Sequence, residues 1–150
     1  MPGYISATLQ RQVRERAKFL CEYCHAWEEL QYCRFHIDHV IPTSEEGANV
    51  FDNLALACIH CNRRKWNHLF YKIDTSDGTK DVPLFNPRQQ QWSDHFVWSA
   101  DGLTVVALTE VGQATIALLK LNDPRTVRIR EEDVKVHRHP PPDDPRQKLS

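Results

Sequence analysis

The chain is 150 residues long, has a formal net charge of −1, and is 41% hydrophobic and 26% charged. That length suits one domain with a small additional lobe, and the near-neutral charge argues against bulk electrostatic binding of nucleic acid. No apolar run reaches the roughly 20 residues of a membrane-spanning helix. No N-terminal basic stretch precedes an apolar segment, so we expect neither a signal peptide nor membrane contact.

Hydrophobic patterning divides the first half of the chain into short elements. Residues 6–20 have helical spacing and are predicted to form the first helix, which Ser6 or Thr8 can cap. Residues 32–41 alternate like a strand that ends at Pro42, and a polar loop over residues 43–50 follows. After a short strand or turn, residues 62–72 are predicted to form a second helix.

The second half of the chain begins with a turn-rich stretch over residues 74–86, which indicates a boundary. A short helix is predicted over residues 89–95. Residues 96–98 and 103–108 flank a Ser-Ala-Asp-Gly turn and are predicted to pair as a hairpin. Thr109 can cap a helix that runs to about residue 121.

These elements predict three segments. Residues 1–73 form a metal-binding module, residues 74–138 form an α+β extension, and residues 139–150 form a disordered tail. The tail contains Pro-Pro-Pro-Asp-Asp-Pro, a composition that cannot bury apolar area.

Four of the five cysteines form two closely spaced pairs, Cys21-x-x-Cys24 and Cys58-x-x-Cys61. Four thiolates at this spacing can close a tetrahedral zinc site, and a site without an open position is structural. Such pairs are typical of metal binding in a reducing compartment, so we expect a cytoplasmic protein. The fifth cysteine, Cys33, is expected to be a buried thiol near the first pair.

Asp38 and His39 lie between the two cysteine pairs, on the predicted strand. A carboxylate is a hard oxygen ligand suited to Mg²⁺ or Mn²⁺. A neutral imidazole beside it can accept a proton from water near neutral pH. Taken together, the two side chains can activate water next to a metal-bound phosphate.

Two asparagines complete this set of residues. Asn62 directly follows the last cysteine, and its side-chain carbonyl can complete a metal site with Asp38. Asn53 lies between the strand and the second cysteine pair, where its amide can bridge backbone groups and fix the loop that orients His39. Each asparagine is also compatible with a simple turn or helix-capping role.

The combination of these motifs resembles the HNH nuclease family. The matching stretches are Cys-x-x-Cys, Ile-Asp-His-Val-Ile-Pro at 37–42, and Asn-Leu-Ala-Leu-Ala-Cys-Ile-His-Cys-Asn-x-x-Lys at 53–65. The resemblance covers roughly the first half of the chain and implies a ββα-metal, treble-clef-like core within an α+β fold. Residues 82–98 and 102–109 resemble the extension of a subgroup of small bacterial HNH proteins, here a hairpin-plus-helix lobe.

The resemblance also implies roles for individual residues. Asp38 and Asn62 would hold a catalytic Mg²⁺ or Mn²⁺, His39 would be the general base, and Asn53 would orient it. The implied activity is metal-dependent hydrolysis of DNA phosphodiester bonds, with one strand nicked per active site. Many family members have a histidine at the position of Asn62, and a Gly-Gly where this chain has the single Gly47.

Further residues are weaker candidates for the same site. His36 lies on the same strand face as Asp38 and is a possible auxiliary ligand, although a packed or solvated histidine is also compatible. Lys65, Arg63 and Arg64 follow Asn62 and would contact phosphates of the DNA backbone, with a solvated helix face as the alternative.

An alternative function is a zinc-knuckle module that binds nucleic acid without cleaving it. A third possibility is a structural zinc protein that binds another protein, which would explain the cysteines but not Asp38 and His39. The sequence contains no recognisable specificity domain such as a helix-turn-helix, and its pattern leaves the oligomeric state open.

Overall fold

The computed structural model describes residues 3–146 and has an α+β fold. These residues form two compact units. The first extends to Leu69 and includes Asn86–Gln90, and the second comprises Phe70–Phe85 and the chain from Gln91 onward. Within residues 3–146, no helix combines the length and apolar composition needed to cross a membrane.

The first unit begins with helix α1 (Ala7–Arg16). Of the two predicted cap residues, Ser6 caps the helix, because its side chain accepts a hydrogen bond from the Leu9 N–H at 3.1 Å. The helix is shorter than the predicted 6–20, because Lys18 and Phe19 adopt positive φ angles of 55° and 62°. These two residues turn the chain from α1 toward the first cysteine pair.

An antiparallel hairpin and a following helix form the centre of the first unit. Strand β1 (His36–His39) pairs with β2 (Leu54–Ala57), with His39 opposite Leu54 and Asp38 opposite Ala55. Every residue of β2 is buried. Helix α2 (Ile59–Lys65) follows directly, so β1, β2 and α2 form the expected ββα arrangement.

The second helix is shorter than predicted. The spacing predicted a helix over residues 62–72, but α2 ends at Lys65 because Trp66 adopts φ 43° and ψ −117°. From Phe70 the chain is extended, and β3 (Phe70–Thr75) pairs with β4 (Gly78–Pro83) across a two-residue turn at Ser76 and Asp77. This hairpin occupies most of the stretch that was predicted as a turn-rich boundary.

The second unit continues with the predicted hairpin. Helix α3 (Trp92–His95) precedes β5 (Phe96–Trp98), which pairs with β6 (Val105–Ala107). Helix α4 (Glu110–Leu119) follows, and Thr109 caps it by accepting a hydrogen bond from the Gly112 N–H at 3.1 Å, as predicted. One face of α4 packs against β3 and β4, where Ala114 forms a buried hydrophobic cluster with Ile73 and Val82.

A last helix, α5 (Pro124–Lys135), was not predicted. Its beginning has a recognisable signal, because Asp123 accepts a hydrogen bond from the Arg125 N–H at 2.8 Å and Pro124 occupies the first turn. Arg130 lies buried on α5 and donates a hydrogen bond to the Leu103 carbonyl at 3.0 Å. The helix therefore packs on the loop between β5 and β6.

The predicted disordered tail is wrong for residues 139–146. The His139 ring is buried and lies edge-on to the Trp98 ring at 4.4 Å between centroids. Asp144 accepts a hydrogen bond from the Trp98 indole N–H at 2.8 Å, and the Pro145 carbonyl accepts one from the Trp98 backbone N–H at 2.9 Å. This fully buried tryptophan anchors the segment despite its prolines; residues 147–150 of the predicted tail lie outside the described residues.

Candidate functional site

The four paired cysteines converge in the first unit. Their sulfur atoms all lie within 4.8 Å of one another, and all four side chains are buried. The Cys24 and Cys58 sulfurs are 3.7 Å apart, close to the ~3.8 Å separation that Zn–S bonds of ~2.3 Å produce in a tetrahedron. The four thiols are free of disulfides. This cluster could hold a metal ion, and its geometry fits a tetrahedral one.

Backbone donors shape each cysteine pair. The Cys24 N–H points to the Cys21 sulfur at 3.5 Å, and the Cys61 N–H points to the Cys58 sulfur at 3.4 Å. Cys58 is also the N-cap residue of α2, so the second pair lies at the start of that helix. These contacts stabilise negative charge on sulfur, as a metal-binding thiolate requires.

The thiols affect one another strongly. Hydrogen bonds with the other three sulfurs, and burial, hold the pKa of Cys61 well above its usual value. Hydrogen bonds from the other cysteines instead lower the pKa of Cys24 well below its usual value. A first thiolate therefore forms readily, but further thiolates beside it in a buried site are costly without a cation.

Asp38 occupies the centre of β1 and is buried, with 5% of its side chain exposed. Its Oδ2 accepts a hydrogen bond from the Tyr23 hydroxyl at 2.8 Å and lies 3.2 Å from the Lys65 ammonium. Burial raises the pKa of the Asp38 carboxyl, and Lys65 and the Tyr23 hydroxyl oppose that shift. The carboxylate is thus held in a fixed, charge-compensated position.

The position of Lys65 corrects its predicted role. Its side chain is 2% exposed, and Nζ donates to the backbone carbonyls of His39 at 3.2 Å and Val40 at 3.1 Å in addition to Asp38. An ammonium enclosed in this way is not a surface contact for a DNA phosphate. Instead, it joins the last turn of α2 to β1.

His39 follows Asp38 on β1 and is half-buried. Its Nε2 is hydrogen-bonded to the Asn49 side-chain oxygen. The Asn49 amide nitrogen donates to the Gly3 carbonyl at 2.6 Å, which orients the amide with its oxygen toward the ring. Nε2 therefore carries the proton and donates it, and Nδ1 keeps its lone pair as a proton acceptor.

Asn53 bridges the two ends of the loop between β1 and β2. Its side-chain oxygen accepts from the Ile41 N–H at 2.9 Å, and its amide nitrogen donates to the carbonyls of Ile41 and Ala48 at 3.0 Å each. The side chain is buried. The loop that carries Asn49 is therefore fastened by one amide, in the bridging arrangement that the sequence suggested for Asn53.

The single glycine of this loop is required by close packing. A Cβ atom added to Gly47 would lie 1.6 Å from the Ile41 carbonyl oxygen and 2.9 Å from the Asn53 amide nitrogen. The Gly47 N–H donates to the Pro42 carbonyl at 2.9 Å, which closes the turn. Only glycine fits at this position, because the backbone at residue 47 lies directly against the Ile41 carbonyl.

The oxygen ligands expected for a second metal come from two elements. Asp38 belongs to β1, and Asn62 lies on α2 one turn before Lys65, which itself contacts Asp38. Residues three apart share a helix face, so Asn62 lies on the face of α2 that carries Lys65. A carboxylate and an amide oxygen, with water completing the shell, form a donor set that fits Mg²⁺ or Mn²⁺.

The remaining predicted residues have less specific positions. His36 is exposed at the start of β1. Within residues 3–146, the four cysteines are the one group of three or more His, Cys, Asp or Glu side chains close enough to share a metal. Arg63 is exposed and Arg64 is half-buried on α2. Cys33 is exposed, which contradicts the expectation that it is buried.

Sequence reasoning missed three supporting residues. Tyr23 lies between the cysteines of the first pair yet contacts Asp38, and Asn49 contacts His39 across the loop. Glu22, the other residue between those cysteines, accepts from the Leu56 N–H at 2.8 Å and forms an ion pair with Arg88. The periodicity of single elements gives no signal for such contacts, because the partners are far apart in sequence.

The comparisons with known proteins agree with this geometry. Residues 21–68 match the family model described as HNH endonuclease. No curated protein matches the chain, and no solved structure matches it. The matched residues include both cysteine pairs, β1, β2 and α2, so the resemblance suggested by the motifs is confirmed for residues 21–68.

Proposed function

We propose that this protein is a metal-dependent endonuclease that hydrolyses phosphodiester bonds in DNA and nicks one strand per active site. The observation that carries the proposal is the placement of Asp38 and His39 side by side on β1, against α2, within the segment that matches the HNH endonuclease model. We assign the chemistry to the module predicted over residues 1–73.

In this proposal His39 is the general base. Asn49 holds its ring through Nε2, which leaves Nδ1 to accept a proton from the attacking water. Asn53 acts indirectly, because its three hydrogen bonds fix the loop that carries Asn49. Neither asparagine needs to touch the substrate.

Asp38 and Asn62 would hold the catalytic Mg²⁺ or Mn²⁺. A divalent cation at such a site supplies positive charge for the scissile phosphate and the leaving oxygen. Asp38 is suited to this role because Tyr23 and Lys65 fix its carboxylate before any ligand binds. Preorganised ligands avoid a cost of rearrangement when the metal binds.

The four cysteines would hold a structural Zn²⁺. Four thiolates leave no open coordination position, so this metal has no part in the chemistry. Its role is to hold Tyr23 and the start of α2, since Tyr23 is flanked by Cys21 and Cys24 and Cys58 caps the helix. In this way the zinc would support Asp38 from two sides.

DNA is the proposed partner, bound through its backbone. Arg63 and Arg64 lie on α2 beside Asn62, where their charges would contact phosphates on either side of the cleaved bond. Lys65 is excluded from this role by its burial. Contacts of this kind position the duplex without reading its sequence.

The experiment that tests the proposal is a plasmid-nicking assay. Supercoiled plasmid is incubated with zinc-loaded protein and Mg²⁺ or Mn²⁺, and the appearance of the open-circular form is followed. We expect nicking in the wild type and a loss of ~10²–10⁴-fold in His39→Ala, with DNA binding retained. His68→Ala is the matched control, because His68 is an exposed histidine of the same unit.

Two outcomes would contradict the proposal. Nicking by His39→Ala at the wild-type rate would show that His39 is not the base. DNA binding without nicking in either metal would instead support the alternative of a zinc-knuckle module that binds nucleic acid and has no cleavage activity.

A further inference from the structure

A buried ion pair lies at the centre of the proposed active site. Lys65 and Asp38 are 2% and 5% exposed, and Nζ lies 3.2 Å from Oδ2. Removing two charges from water is costly, and a hydrophobic pair of similar volume would serve packing as well or better. An ion pair at this position therefore calls for an explanation beyond packing.

The contacts of Lys65 are complete. An ammonium has three N–H donors, and here the three acceptor groups are the Asp38 carboxylate, the His39 carbonyl and the Val40 carbonyl. The last two belong to the end of β1 and the residue after it. Lys65 is thus fixed by the same strand that carries the proposed ligand and base.

Each oxygen of the Asp38 carboxylate accepts one hydrogen bond. Oδ2 accepts the Tyr23 hydroxyl at 2.8 Å and lies 3.2 Å from Lys65 Nζ, and Oδ1 accepts a hydrogen bond from Nζ at 3.5 Å. A carboxylate oxygen has two lone pairs, so each oxygen keeps one for a further ligand. A divalent cation that uses either of them binds beside the Lys65 ammonium.

From this geometry we propose that Lys65 is a built-in counter-cation for Asp38, against which the catalytic divalent cation must bind. The inference rests on the proposed function, in which Asp38 is a metal ligand. Lys65 compensates the buried negative charge of Asp38 and supports the fold when no divalent cation is bound. Lys65 is a positioning residue, since it acts through Asp38 rather than on the substrate.

The proposal has a consequence that a purely structural lysine would not have. Two cations beside one buried carboxylate repel each other, so removing the lysine charge strengthens binding of the divalent ion. The same change leaves Asp38 uncompensated in the absence of that ion, which destabilises the fold. Stability without the metal and affinity for the metal should therefore change in opposite directions.

The test uses zinc-loaded full-length protein in buffer freed of other divalent ions, without a strong chelator that would remove the zinc. Binding of Mn²⁺ is measured directly by electron paramagnetic resonance, and Tm is measured with and without Mn²⁺. The variants are Lys65→Met, which keeps the volume without the charge, and Asp38→Asn. Arg14→Met is the control, because it breaks another partly buried ion pair of the same unit, with Glu28.

We expect Lys65→Met to have a lower Tm than the wild type without Mn²⁺. It should also bind Mn²⁺ at least about tenfold more tightly and gain a larger Tm increase from it. Arg14→Met should have a lower Tm than the wild type but the same Mn²⁺ affinity. A Lys65→Met protein with unchanged or weaker Mn²⁺ binding would overturn the inference.

A second measurement covers the case in which Lys65→Met does not fold. In wild-type protein, the buried Lys65 ammonium resonance is followed by ¹⁵N nuclear magnetic resonance during titration with diamagnetic Mg²⁺. We expect it to shift on binding, and not to shift in Asp38→Asn. A constant resonance in a wild type that binds Mg²⁺ would overturn the inference.

The same measurements separate this inference from the proposed function. If the wild type neither binds Mn²⁺ nor nicks plasmid, or if Asp38→Asn binds Mn²⁺ as well as the wild type does, the proposed role of Asp38 fails. If the wild type binds and nicks but Lys65→Met behaves like the Arg14→Met control, only the counter-cation role fails.

Discussion

Replacing Gly47 with alanine should damage both stability and activity. The added Cβ would lie 1.6 Å from the Ile41 carbonyl oxygen, whereas a relaxed contact needs about 3.5 Å. The loop must therefore move by roughly 2 Å, which breaks the three hydrogen bonds that Asn53 makes to Ile41 and Ala48. At about 1 kcal/mol each, these bonds amount to roughly 3 kcal/mol.

Two assays measure this prediction. Thermal unfolding of zinc-loaded protein should show a Tm lower by roughly 6–12 °C for Gly47→Ala. The plasmid-nicking rate should fall by about 10²-fold, because the displaced loop carries Asn49, which holds the His39 ring. Ser44→Ala, an exposed change in the same loop, is the control and should alter the free energy of unfolding by less than about 0.5 kcal/mol.

A double-mutant cycle makes the reasoning refutable. Asn53→Ala removes the same three hydrogen bonds, so the double variant should be little worse than the worse single variant. If the two losses add fully, the glycine does not act through the asparagine. If Gly47→Ala keeps the wild-type Tm and nicking rate, the inference that a Cβ atom cannot be accommodated at residue 47 is wrong.

Three further predictions concern the metal cluster and the second unit. Cys61→Ser should leave an open, weaker site, and elemental analysis should show less than one zinc per chain together with a lower Tm; a folded wild type that contains no zinc would refute this. Ending the chain at Arg138 should lower the free energy of unfolding by roughly 3 kcal/mol, because three hydrogen bonds are lost: two between residues 139–146 and Trp98, and one from His139 to the Gly102 carbonyl. An unchanged midpoint of urea unfolding would contradict this prediction. Burial lowers the pKa of His139 to about 4, below its usual 6.5. The contribution of neutral His139 to stability is therefore full above about pH 6.5 and is lost as the pH falls toward 4. Between pH 6.5 and 4, the Tm of His139→Gln should fall less than the Tm of the wild type. An equal fall in both proteins would show that His139 does not cause the loss of stability.

Local patterns by themselves determined the parts of this protein that depend on neighbours in sequence. The paired spacing of the cysteines predicted their convergence. Each Cys-x-x-Cys pair already holds two sulfurs close together, so a single contact between the two pairs forms the four-sulfur cluster. Ser6 and Thr109 predicted two helix starts, since a cap acts on the next turn of its own chain. The motif around Asp38 indicated the family that the match over residues 21–68 confirmed.

The tertiary structure alone decided which side chains surround those motifs. Lys65 is 27 residues from Asp38 and looked like a surface cation, but folding buries it against the carboxylate. The proline-rich residues 139–146 were predicted to be disordered, but the Trp98 ring packs against His139 and its indole N–H donates to Asp144. The physical reason is common to both: burial and partner choice depend on groups distant in sequence, which local propensity and spacing do not encode.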